Sequence, residues 1–199
     1  WIEEISAENL GETTTLLAHH YATANELRSR MGDDRPDLAL QAQRFTRAAA
    51  EQVQNLDSAA AIELFTKAAA LTEDPLSRGK ILIEMADLQA VGGEREAGLK
   101  VAGEAAALFS QLREPAFQAQ ALASQGRAAW IGGDGATSDE LNAQAYALVE
   151  GLEPGRQVAA VLRAEANRRL LRGQVAESAA VADRALEMTR EYGTPGELA

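Results

Sequence analysis

His19 and His20 are the only two histidines in this 199-residue chain, and it has no cysteine. Imidazole and thiolate groups supply most zinc sites and many nucleophile–base pairs. Neighbouring residues on a helix point about 100° apart, so His19 and His20 do not form the i, i+4 pair that a shared metal needs. The expectation is one partly packed histidine and one exposed. With no other histidine, a Ser–His or Cys–His pair is hard to assemble. The run Gly132-Gly133-Asp134-Gly135 lacks the Lys-Ser/Thr ending that cradles phosphate and the alternating acids of a calcium loop. It reads as a turn. Carboxylates are plentiful, but nothing in the sequence gathers two of them out of water. Glu63 with Lys67 reads as a surface i, i+4 pair, worth roughly 0.2–0.5 kcal/mol. No catalytic residue, cofactor or metal site is expected.

The remaining chemistry is recognition. Trp130 stands in a chain with only 5% aromatic residues. A plug in the core at the end of its helix is the preferred reading, and a recognition anchor is the other. Arg127, Arg163 and Asn167 carry long polar donors suited to a peptide carboxylate or backbone. Residues 155–191 hold seven arginines against five acids, a locally basic stretch in a chain of net charge −11. That overall charge repels phosphate backbones and anionic lipid, so neither nucleic acid nor membrane is an expected partner. No run of 18 apolar residues exists to span a bilayer. A cytoplasmic location is expected.

These side chains must be positioned by helices. Hydrophobic residues make up 46% of the chain, with alanine in place of aromatic and β-branched residues. Alanine favours helix and lets helices approach closely. Four segments align: Leu56–Ala68, Gly93–Ala105, Gly133–Ala145 and Gly173–Ala185, with final alanines 37, 40 and 40 residues apart. Seven residues before each final alanine stands a small residue: Ala61, Gly98, Ser138 and Ser178. Nineteen before it stands another: Ala49, Ala86, Gly126 and Ala166. This is the signature of a repeated helix–turn–helix unit whose small residues mark the helix crossings. The glycine, or Leu56 in the first copy, marks the turn, and Asp57 and Asp134 suit the N-cap that follows. The bulky position is Phe65 in the first copy and Ala102, Asn142 and Ala182 in the others. First helices are predicted at 36–54, 76–91, 115–131 and 155–171, and second helices at 57–71, 94–112, 136–150 and 174–191. Another helix is predicted near 12–30, closed by the run from Gly32 to Pro36.

The small–small–bulky–small pattern with its turn glycine resembles tetratricopeptide repeats over about residues 36–191. The lead-in Leu16-Leu17-Ala18-His19-His20-Tyr21 is similar to the region C-terminal to the ATPase module of bacterial multidomain adenylate cyclases and related transcriptional regulators. The resemblance implies an all-α, right-handed solenoid of antiparallel helix pairs whose first helices line a concave groove. On the family's inner face the lining candidates are Gln43, Thr46 and Ala50; Lys80, Ile83 and Asp87; Gln120, Ala123 and Arg127; and Ala160, Arg163 and Asn167. Trp130 joins them at the far end.

The expected organisation is a lead-in helix over 1–35, about four helix pairs over 36–191, and the start of a truncated further unit or a tail over 192–199. Because it begins at Trp1, the chain reads as a piece of a longer protein. The expected function is a non-catalytic interaction or sensor module of a bacterial signalling protein, binding a peptide or partner domain that is acidic toward the groove's C-terminal end. Two other readings stay open: a small-molecule effector domain with an enclosed pocket near Trp130, or a spacer or oligomerisation domain. Val175, Ala179, Val181, Ala182, Leu186 and Met188 leave the last helix apolar, so a homodimer through the C-terminal helix pair is expected.

Overall fold

A computed structural model describes residues 10–33 and 35–193; of Leu10, Gly11 and Glu12 only the backbone is described. Nine helices follow one another among the described residues, with no strand. They are α1 (Leu10–Arg30), α2 (Pro36–Val53), α3 (Ser58–Ala70), α4 (Pro75–Gly92), α5 (Arg95–Leu112), α6 (Pro115–Ile131), α7 (Gly135–Val149), α8 (Arg156–Leu171) and α9 (Val175–Tyr192). Every predicted helix is present, with its ends within two residues of expectation. The expected unit at 192–199 falls largely on residues 194–199, which lie outside the described residues, as do 1–9.

Helix ends follow local chemistry. Asp57 accepts from the backbone N–H of Ala60 at 3.0 Å, and Asp134 from Thr137 at 3.0 Å. Asp74, which the sequence reading passed over, caps α4 through the N–H of Ser77 at 2.8 Å. These side chains satisfy donors that a helix N-terminus leaves open. Pro36, Pro75 and Pro115 each open a first helix, where a missing N–H costs nothing. Gly93, Gly133 and Gly173 adopt left-handed φ of 97°, 87° and 76°, which turns the chain from first helix to second.

Neighbouring helices pack antiparallel along the whole chain, and the first helices α4, α6 and α8 also touch each other directly. The small positions explain how closely. All twelve repeat residues at the three small positions are buried. A Cβ on Gly98 would sit 2.8 Å from the Ala86 carbonyl oxygen, so α5 crosses α4 backbone to backbone. In the last unit the Ser178 hydroxyl donates to the Ala166 carbonyl at 2.7 Å. A further small position was missed: Ala42, Gly79, Ala119 and Ala159, all buried. At Gly79 the space is filled by the ring of Phe109, which would lie 2.5 Å from an added Cβ. Phe109 in turn stacks on Phe117 of the next unit, with centroids 5.2 Å apart. The core therefore runs continuously from α2 to α9, while Leu17, Ala18, Phe45 and Ala49 join α1 to α2.

Several expectations need correction. Both histidines are exposed, with ring centroids 5.9 Å apart. Leu17 and Ala18 take the inward face of α1, which turns His19 and His20 outward. Glu63 and Lys67 form no ion pair among the described residues. The bulky position is buried in three copies, including Asn142, which donates to the Ser138 carbonyl at 2.8 Å; Ala182 is exposed. No described helix is long and apolar enough to cross a membrane.

Candidate binding groove

The inner faces of α4, α6 and α8 line an open cavity of about 280 Å³. Asp87, Gln120, Arg127, Arg163 and Asn167, all singled out from the sequence, line it together with Ser124, Ala123, Ala160 and Ala164. Ala123, Ala160 and Ala164 are the more buried part of its lining, and Arg127, Arg163 and Asn167 are exposed. A second cavity of about 170 Å³ lies between α6, α7 and α8, against Trp130, Asp139, Arg168, Leu171 and Arg172. The two share Ala123, Arg127, Ala164 and Asn167, so they lie side by side.

Other expected lining residues lie elsewhere. Ile83 is only 4% exposed and belongs to the core, as do Thr46 and Ala50. Lys80 holds its ammonium 4.7 Å from the Phe117 ring centroid and lines neither cavity. Gln43 lines a separate cavity near the starts of α2 and α4. The reason is that α4 is covered on most sides: Ile81, Leu82 and Ile83 are buried in succession. Its groove-facing residue is Asp87. Trp130 is 51% exposed, against the preferred core reading. It stands in the last turn of α6, beyond the crossing with α7, and its ring edge lies 3.8 Å from where a Cβ on Gly135 would be.

The electrostatics of the groove are uneven. Arg127 stands 3.7 Å from Asp87 Oδ1, an ion pair too long for a hydrogen bond. That buried oxygen has no hydrogen-bond partner among the described residues. Burial raises the Asp87 pKa above the usual carboxylate range, with Arg127 and the Ser124 hydroxyl pulling against it. Burial also raises Glu84, although Arg47 of α2 grips it at 2.5 and 3.2 Å; the charge of Glu51 adds to the rise. Arg163 is exposed and makes no ion pair with any described residue.

A network absent from the sequence reading closes the C-terminal end. Glu165 is 2% exposed and accepts from Arg168 at 2.7 and 2.8 Å and from Arg169 at 2.6 Å. Burial pushes its pKa up, but the hydrogen bonds and charges of the two arginines together outweigh burial and hold it below the ordinary value. Asp139 of α7 pairs with Arg168 at 3.7 Å and with Arg172. Arg169 also stands 5.4 Å from the Tyr146 ring centroid. The locally basic last unit therefore spends three of its arginines on internal pairing. Only the unusual burial of an acid at position 165 could have disclosed this, and sequence does not report burial.

No group of three or more metal-ligating side chains is gathered among the described residues. No family model matches the sequence, and no curated protein matches it as a relative. Solved structures do resemble the fold. One is BtubC (BKLC) from P. vanneervenii, 14% identical, with a TM-score of 0.64 over 93% of this chain and 78% of that one. Another is a variant of a kinesin light chain-like protein of Podosopora anserina with nearly identical TPR-like repeats. It is 15% identical, with a TM-score of 0.57 over 94% of this chain and 97% of that one. A second structure of the Podosopora protein gives a TM-score of 0.55 at 15% identity, over 90% of this chain and 95% of that one. The chain has the all-helical solenoid fold of TPR-like repeat proteins.

Proposed function

We propose that this chain is a non-catalytic scaffold that binds an extended, acidic peptide or partner segment in the groove of α4, α6 and α8. The observation that carries this is the placement of Arg127, Arg163 and Asn167 along one cavity, with the Arg163 guanidinium unpaired among the described residues. Planar donors spaced along an alanine-lined cavity suit a backbone and carboxylates, and nothing in the groove is arranged for bond-making. Such a module fits within a larger bacterial signalling or regulatory protein, as the lead-in around Leu16–Tyr21 suggests. Panning the protein against random peptides displayed on phage should enrich sequences containing Asp and Glu. Charge reversal of Arg127 and Arg163 together should weaken those peptides at least about tenfold, with helical circular dichroism intact. Peptides that bind the double variant as tightly as the wild type would remove this reading.

A second reading, an effector site for a small molecule, draws on one observation: the cavity beside Trp130.

A further inference from the structure

The cavity between Trp130 and Leu171 has a shape and charge of its own. Its volume is about 170 Å³, and a cavity of about 150 Å³ is enough to hold benzene. Trp130 and Leu171, both in its lining, are 51% and 53% exposed, so two large apolar side chains there meet water. A flat ring inserted between them would cover both and could pair with the indole.

Two of its polar lining residues, both on α7, already have partners. Asn142 donates to the Ser138 carbonyl at 2.8 Å, and Asp139 is paired to Arg168 and Arg172. At the rim, the Asn167 side chain has no partner among the described residues, and Arg127 is tied to Asp87 only at 3.7 Å. The charge of the neighbouring arginine network is also unbalanced. Arg168, Arg169 and Arg172 face only Glu165 and Asp139, so the network keeps one positive charge beside the cavity. A neutral ring alone would leave that charge and the rim donors unused, whereas a carboxylate on the ring would meet both.

We propose that this cavity binds a small aromatic carboxylate, its ring between Trp130 and Leu171 and its acid group on Arg127 and Asn167. The proposal rests on the effector reading and not on the peptide reading.

Phenylacetate is the probe, with phenylacetamide as its neutral counterpart and cyclohexylacetate as its saturated one. Trp1→Phe leaves Trp130 as the sole tryptophan, so its fluorescence reports the cavity. Phenylacetate should alter that fluorescence with a Kd on the order of 1 mM or below, and both counterparts should bind at least about fivefold more weakly. By calorimetry, Arg127→Gln should lower phenylacetate affinity about tenfold, to the level of phenylacetamide, and Trp130→Ala should abolish binding. Both side chains are about half-exposed, and helical circular dichroism checks that both variants keep the fold. Equal binding of acid and amide, or no response of Trp130 to phenylacetate, would overturn the proposal. Arg127 enters both readings, so phenylacetate is read at Trp130 and the peptides at an Arg163 single variant, and loss of one result leaves the other standing.

Discussion

At the scale of single residues, three carboxylates pull stability in opposite directions with pH. Glu84 and Asp87 have raised pKa values, so the folded chain takes up protons before the unfolded chain does. Their effect is to stabilise the fold as pH falls from neutrality toward the ordinary carboxylate range. Glu165 is held below its ordinary value, so its contribution is present above that value and lost as pH falls through the depressed one. The melting temperature should rise on acidification from pH 7 to about 5 and fall below about 4. Asp87→Asn should reduce the rise, and Glu165→Gln should reduce the fall. Identical pH profiles for wild type and both variants would contradict these assignments. At pH 7, Glu165→Ala should cost about 1–3 kcal/mol in urea unfolding, because it leaves Arg168 and Arg169 without their shared acceptor. Asp87, Gln120, Arg127, Arg163 and Asn167, which line the cavity, were named from the inner face that the resemblance implies; spacing on a helix shows only which residues share a face, not which face turns inward. The Glu165 network was not legible in the sequence. It depends on a carboxylate being buried three and four residues before its arginines, and a solvated helix could show the same spacing.

At the scale of helices, the small residues set the distance between elements. Gly98 faces backbone rather than a movable side chain, so Gly98→Ala and Ala86→Leu should each cost about 1–3 kcal/mol by overpacking. Gly79 faces only the Phe109 ring, which predicts coupling. Gly79→Ala should be destabilising alone and milder in a Phe109→Leu background, as a double-mutant cycle in urea would show. Strict additivity would mean that the two do not meet. Helix positions were readable because proline, aspartate and glycine punctuate each unit. The inner face of α4 was not, because Ile81, Leu82 and Ile83 are buried in succession. A helix covered by neighbours on most sides loses the one-sided apolar period that shows which way it faces. The Ala42, Gly79, Ala119 and Ala159 series was present in the alignment, but alanine is so frequent that it did not stand out.

At the scale of the whole molecule, the last described helix leaves an apolar face in water. Val175, Ala179, Ala182 and Leu186 form an exposed stripe on α9. At the position of Ala182, the earlier second helices carry Phe65, Ala102 and Asn142, all buried. Val181, expected at the surface, is instead 4% exposed in the chain's own core. The stripe is symmetric about its middle, with small residues at the centre and larger ones at the ends. An antiparallel second copy would place Val175 opposite Leu186 and Ala179 opposite Ala182, as a two-fold contact requires. Light scattering should show the mass rising toward that of two chains with concentration, and Ala182→Arg should hold it at one. A wild-type mass of one chain throughout would leave the stripe without a partner. The most direct test of the groove itself is a backbone NMR titration with an acidic peptide selected by display. Its shift changes should concentrate on the inner faces of α6 and α8, at Gln120, Arg127, Arg163 and Asn167. Changes confined to the second helices α5, α7 and α9 would show that the peptide binds outside the groove.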